Sequence, residues 1–190
     1  MRVLVVHASR YGSTQGIAER IAATLRQHGI EAAVQSVEHA GDPADYDAAV
    51  IGSAVYFAHW MKHATEFVRR NRDGIANRPV WLFSSGPLGT DAKDAQGRDL
   101  LVISEPKEIG EFQEMIRPRG HRVFFGVFDH SKLGFTHRLV MKFAKRANAP
   151  LPEGDFRDWS DIEAWGNSIA EGLKAPAEPP QLVTQTTAEP

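Results

Sequence analysis

Strand-length apolar runs that alternate with segments of helical period constrain this chain more than any other feature of its sequence. The runs cover residues 2–7, 32–37, 48–53, 80–85 and 122–128 and are rich in valine, isoleucine, leucine and phenylalanine, as strands covered on both faces are. Between them lie amphipathic stripes. Ile17, Ile21 and Leu25 form one that ends near Gly29, and Trp60, Met61, Ala64, Phe67 and Val68 form a second. Ile109, Phe112, Met115 and Ile116 form a third, which ends before Pro118. The run Ser160-Asp161-Ile162-Glu163 reads as a capping box that opens a last helix, with Ile162, Trp165, Ile169 and Leu173 turned inward. Strands and helices in this alternation make a βαβ layer protein of the α/β class. Because crossovers between parallel strands are right-handed, the sheet is predicted to be doubly wound with helices on both faces. Ligands of such sheets bind beyond the carboxyl ends of the strands, where the winding reverses. The loops after His7, Ser53 and Ser85 are therefore where chemistry is expected.

Composition narrows the class. A chain of 190 residues, 42% hydrophobic, suits one compact domain with a buried core, expected over residues 1–174. Residues 175–190 carry Pro176, Pro179, Pro180 and Pro190 among polar neighbours and are expected to form a disordered tail. A formal net charge of -2 makes no field of one sign, so no nucleic-acid partner is expected. Cysteine is absent, which excludes disulfides, thiolate-held clusters and a cysteine nucleophile, and suits a reducing cytoplasm. Redox chemistry would then need a bound cofactor. The opening residues read as a strand rather than a signal peptide, and no apolar stretch approaches the roughly 18 residues of a membrane span. The expected location is cytoplasmic. In the segment 132–146, Phe135, Leu139, Val140 and Phe143 share a stripe while Arg138, Lys142, Lys145 and Arg146 cluster elsewhere. It reads first as a core helix with a solvated basic face, and second as a surface for peripheral contact with anionic lipid at the inner face of a membrane.

The first loop, Ala8-Ser9-Arg10-Tyr11-Gly12-Ser13-Thr14-Gln15-Gly16, is crowded with hydroxyls and glycines. Free backbone N–H groups and the helix dipole hold a phosphate at a helix start, Ser and Thr hydroxyls add donors, and Gly12 lets the main chain approach closely. Neither GxxxxGK(S/T) nor GxGxxG is present, so the loop fits a single phosphate group better than a nucleoside triphosphate or a dinucleotide. The plainer alternative is that Ser13 or Thr14 only caps the helix. The second loop, Ser53-Ala54-Val55-Tyr56-Phe57-Ala58-His59-Trp60, sets three aromatic rings just past a buried strand, the flat apolar walls that a flavin ring needs. Tyr56 is the preferred wall. Trp60 is read as a core residue, and Phe57 is open to either role. His59 and His63 stand four apart, but Trp60 replaces the Glu of HExxH and no third ligand is evident, so both are read as solvent-facing and no metal is expected. His59 is retained as a candidate for proton transfer near a flavin. The third loop opens Ser85-Gly86-Pro87-Leu88, small enough for backbone groups to reach a flavin's pyrimidine edge; 92–104 reads either as a lid or as a mobile insertion.

Together these loops resemble the flavodoxin superfamily. Ser-Arg-x-Gly-Ser-Thr over 9–14, Ile-Gly-Ser-Ala-Val-Tyr-Phe-Ala-His-Trp over 51–60, Phe-Thr-His-Arg-Leu-Val-Met-Lys-Phe over 135–143 and Asp158-Trp159 are similar to the flavodoxin-domain branch that contains menaquinone-dependent protoporphyrinogen IX oxidase. The resemblance implies a five-stranded parallel sheet in the order 2-1-3-4-5 and flavin mononucleotide (FMN) as cofactor. It further implies that Ser9, Arg10, Tyr11, Gly12, Ser13 and Thr14 hold the phosphate. Ser53, Ala54, Val55 and Tyr56, with Ser85, Gly86, Pro87 and Leu88, would surround the ring. The implied activity takes hydrogen from a small-molecule reductant, protoporphyrinogen IX, and delivers it to a quinone or redox-protein acceptor. In the third loop the chain departs from that oxidase's pattern, with Ser-Gly-Pro-Leu-Gly-Thr-Asp and a charged insert. A soluble electron shuttle with no substrate of its own is the alternative; such shuttles usually present a strongly acidic face, which the charge count disfavours. A phosphate-receiving signalling domain would need an aspartate where Gly52-Ser53 stands.

Overall fold

A computed structural model describes residues 1–129, 131 and 152–175. The segment 132–146 and residues 176–190 of the expected tail lie outside the described residues.

Five parallel strands form the centre: β1 (Arg2–Ala8), β2 (Glu31–Ser36), β3 (Ala48–Tyr56), β5 (Val80–Ser85) and β6 (Gly120–Phe124). They pair in the order β2-β1-β3-β5-β6, which is the expected 2-1-3-4-5 once the short hairpin strand β4 (His59–Trp60) is left out of the count. Alternation along each strand feeds two cores. In β1, Val3 and Val5 pack with α1 (Ser13–Gln27) and α6 (Trp159–Lys174), where Ile17, Ile21, Leu25, Ile162, Ile169 and Leu173 are buried. Leu4 and Val6 face the opposite layer, made by α2 (Lys62–Arg70), α3 (Arg72–Ala76) and α5 (Glu108–Ile116), with Phe67, Val68, Ile75, Ile109 and Phe112. A strand buried on both faces has no polar side to show, which is why these runs read as continuous apolar stretches.

Four local features depart from the expectations. The fifth strand does not run to Phe128: β6 stops at Phe124, and Val127–Phe128 (β7) pairs instead with Gly154–Asp155 (β8) in a separate antiparallel ribbon. Its partners explain the break, since Gly126 N–H donates to the Pro87 carbonyl at 2.9 Å and the Gly126 carbonyl accepts from Phe156 N–H at 3.0 Å. Trp60 stands in β4 ahead of α2 rather than on its stripe; it is buried, as expected of a core residue, and its Nε1–H donates to Ser84 Oγ at 2.8 Å. The last helix opens two residues early. Asp158, not Ser160, is its N-cap, and the carboxylate accepts from the N–H groups of Ser160 (2.9 Å) and Asp161 (3.1 Å), so the Ser160–Glu163 pattern lies inside the first turn. Within the long third loop, Asp94 accepts from Gln96 N and Arg98 N and pairs with the Arg98 side chain, and Asp99 caps a short helix, α4 (Leu100–Ile103).

Candidate functional site

At the carboxyl edge of the sheet, the ends of β1, β3, β5 and β6 surround a cavity of about 340 Å³, within the range of small-ligand sites. From the first loop come Ser9, Arg10, Tyr11 and Ser13; from the second, Ala54, Val55 and Tyr56; from the third, Ser85, Gly86 and Leu88. Three loops far apart in sequence thus share one wall. Gly12, Thr14, Ser53, Pro87 and His59, also singled out in the sequence, do not line it.

Each of those five has another position. Gly12 is the N-cap of α1, with a φ of 87° that favours glycine, and its N–H donates to Ser9 Oγ at 3.1 Å, which folds the loop back on itself. No side chain caps this helix start. Thr14 sits in the first turn, wholly buried, and its hydroxyl has no hydrogen-bond partner among the described residues. Ser53 is buried and braces the second loop: its Oγ accepts from Met61 N at 3.0 Å and donates to the Ala54 carbonyl at 2.9 Å. Pro87 contributes the carbonyl that takes Gly126 N–H. His59 lies across the hairpin from Tyr56 and bonds through Nδ1 to Glu108 Oε1 at 2.7 Å. Burial pushes the Glu108 carboxyl up, but bonds from His59 and from Trp60 N–H outweigh it and hold it below its usual range. His63 approaches Glu38 at 3.9 Å instead, and among the described residues no three His, Asp or Glu side chains gather as a metal would require.

Ser13 is the node of the site. Its Oγ lies 3.0 Å from Ser85 Oγ and accepts Val127 N–H at 3.0 Å, tying the first loop to the third and to β7. Gly126, Val127 and Phe128 also line the cavity, as does Phe57. The apolar run 122–128 hid the first three, although Gly126 is the kind of residue that marks a strand end. Arg157 went unnoticed because no motif contains it. Its guanidinium holds both oxygens of Asp155 (2.7 and 2.6 Å), lies 4.3 Å above the Trp159 ring and reaches the Ser13 carbonyl at 3.4 Å. Gly16 permits this, since a Cβ there would stand 2.5 Å from Arg157 Nη1.

Electrostatically the site divides in two. The uncapped start of α1, with the unpartnered Thr14 hydroxyl and the nearby Ser9 and Ser13, offers donors to a single tetrahedral anion. Towards β3 the walls are flat and apolar. Burial, and then the neighbouring Tyr11, raise the Tyr56 phenol above its ordinary value, so it presents a neutral ring. A phosphate carried on a flat heteroaromatic system matches both halves.

The family described as Flavodoxin domain matches residues 4–150. The chain belongs to that family. Protoporphyrinogen IX dehydrogenase (quinone) from Escherichia coli (strain K12) is 24% identical over 182 residues, covering 90% of this chain and 95% of that protein. Among solved structures, a flavodoxin from the domain Archaea superposes with a TM-score of 0.58 at 16% identity, over 92% of this chain and 100% of that one. Oxidised flavodoxin 1 from Bacillus cereus gives 0.53 at 13% identity, over 90% of this chain and 98% of that one. Family and fold together make this flavodoxin-like chain a flavin-binding protein of the oxidoreductase and electron-transfer class.

Proposed function

We propose that the cavity binds FMN and that the protein uses it to pass hydride or electrons from a reduced small molecule to a quinone-type acceptor. Protoporphyrinogen IX is the reductant to test first, because the Escherichia coli relative is named for that reaction. The observation that carries the reading is the buried Thr14 hydroxyl without a partner among the described residues, at the uncapped first turn of α1. A buried donor left unmade is costly, and a phosphate at this helix start would complete it. Ser9, Arg10, Tyr11, Gly12, Ser13 and Thr14 form the phosphate side. Ala54, Val55 and Tyr56, held by Ser53, with Ser85, Gly86, Pro87 and Leu88, form the ring side.

When bound, the flavin supplies the position that accepts hydride and returns two electrons to the acceptor. The chain's own residues do the rest. The α1 amides and hydroxyls fix the anion, Tyr56 shields a ring face from water, and the β5 loop brings backbone groups to a polar ring edge. Overall, each turnover removes two electrons and two protons from the reductant and places them on the quinone as quinol. The proposed flavin-binding unit spans residues 1–174. A cysteine-free chain suits the cytoplasm, and a quinone acceptor would bring it to the inner face of a membrane; among the described residues no helix is long and apolar enough to cross one.

Purification with visible spectroscopy tests the cofactor: the bands of an oxidised flavin, released as FMN on denaturation, are expected. A colourless protein that ignores added FMN would overturn the reading. Anaerobic mixing with protoporphyrinogen IX, then with a quinone, should bleach and restore those bands without any protein partner. A flavin that neither reagent changes would favour the shuttle over the enzyme.

A further inference from the structure

The hairpin joining β3 to β4 turns through Phe57 and Ala58, which have φ of 53° and 64°. Such a two-residue turn favours Asn and Gly, because a Cβ is crowded in the left-handed region. Here both positions carry one, and the first is a phenylalanine left 97% exposed. Neither backbone preference nor burial accounts for a phenyl ring at this place.

The surroundings hold it there all the same. Val55 pairs with Trp60 and Tyr56 with His59, and the Glu108 carboxylate takes His59 Nδ1 at 2.7 Å and Trp60 N–H at 3.2 Å. The neighbouring Lys107 N–H donates to the Ala58 carbonyl at 3.1 Å. Backbone strain that the surroundings over-determine is a mark of functional sites. The tip is also continuous with the cavity, since Tyr56 and Phe57 both line it. Tyr56 is 39% exposed and stands inside, whereas Phe57 stands almost bare at the mouth.

We propose that Phe57 is the docking platform for the flat, apolar ring of the quinone acceptor at the outer mouth of the flavin cavity. The inference rests on the reading of that cavity as a flavin site. Stacking on an aromatic face removes apolar area of both rings from water and leaves the choice of ring substituents open. A hairpin braced from behind keeps the face in place, so little freedom is lost on docking.

Phe57→Asn and Phe57→Tyr separate the alternatives, with menadione as the probe. Asn suits the turn but removes the ring, so Phe57→Asn is expected to raise the midpoint of thermal unfolding by a few degrees. It should also weaken menadione binding, read by fluorescence quenching or equilibrium dialysis, by about fivefold or more. Phe57→Tyr restores the affinity. Because Phe57 also lines the cavity, FMN affinity is titrated in parallel, and in Phe57→Asn menadione binding is expected to fall by the larger factor. Unchanged menadione binding in Phe57→Asn overturns the platform, as does a loss confined to FMN, which would make Phe57 a wall of the flavin pocket. No menadione binding by the wild type overturns it too. Failure of the underlying reading has a different signature, a protein without flavin bands, and in that protein the menadione titration still decides the role of Phe57.

Discussion

Thr14 is a buried hydroxyl in a helix's first turn that no described residue satisfies. A threonine serving only the fold would be expected to bond a nearby carbonyl, as Thr24 does to Arg20 at 3.0 Å. Removing Thr14's hydroxyl should therefore act in opposite directions on fold and ligand. In Thr14→Ala, FMN affinity is expected to fall by about 1–3 kcal/mol while the flavin-free protein keeps its stability or gains some; Thr14→Ser should retain the affinity. Parallel FMN titrations and urea melts check this, and unchanged affinity in the alanine variant removes Thr14 from the site. Arg157 shows the limit of reading residues singly. Its place over the start of α1 depends on Asp155 and Trp159 beside it and on the missing Cβ of Gly16, which stands in a distant part of the sequence.

At the scale of elements, the hairpin β3–β4 brings Tyr56 to the cavity and Phe57 to its mouth, and Glu108 of α5 fastens it. Glu108→Ala removes the acceptor of Trp60 N–H as well as the partner of His59, and is expected to cost about 1–3 kcal/mol of stability in urea denaturation. Glu108→Gln keeps an acceptor for one of the two donors and should cost less. Equal losses would show that the charge, not the bonds, fastens the hairpin. The parallel sheet was legible from the sequence because Val3 and Val5 feed one core and Leu4 and Val6 the other, leaving an uninterrupted apolar run. The first loop was legible as the turn from β1 into α1, where Gly12 takes the N-cap with a φ of 87°. By contrast, the hairpin was not: Phe57-Ala58 lacks the Asn-Gly signal of its turn, because the position is held by Lys107 and Glu108 at the start of α5, far away in sequence. For the same reason β7 passed as the end of the fifth strand. Its partner, Gly154–Asp155, lies beyond a long intervening segment, and a two-residue ribbon leaves no periodicity to detect.

Across the whole molecule, two buried histidines couple the fold to pH. His7 stands next to the end of β1, and burial lowers its proton affinity against the opposing pull of Glu19 and Glu38; one ring nitrogen, Nδ1, has no partner among the described residues. His121 in β6 is lowered by burial as well, with Glu105 pulling the other way. Its Nε2 lies 2.9 Å from Ser84 Oγ, which already accepts Trp60 Nε1–H and can donate its own proton only to an unprotonated nitrogen. The folded state therefore prefers both rings neutral. Above the ordinary histidine value of 6.5 neither the folded nor the unfolded chain binds these protons, and their contribution to stability is fully present. As pH falls below 6.5 the unfolded chain takes up protons that the folded one refuses, so stability drops until the depressed folded values are reached. The carboxylates held low by their partners, Glu111 by Arg69 and Asp155 by Arg157, add a separate loss only as pH falls below their ordinary values of 4.5 and 3.8. Urea denaturation at steps from about pH 8 to about pH 3 should thus show two declines, the upper from the histidines and the lower from the carboxylates. His121→Gln, which keeps an acceptor for Ser84, should shrink the upper decline and leave the lower one in place. A wild-type profile that stays level between pH 6.5 and the carboxylate range would mean that neither buried ring resists its proton.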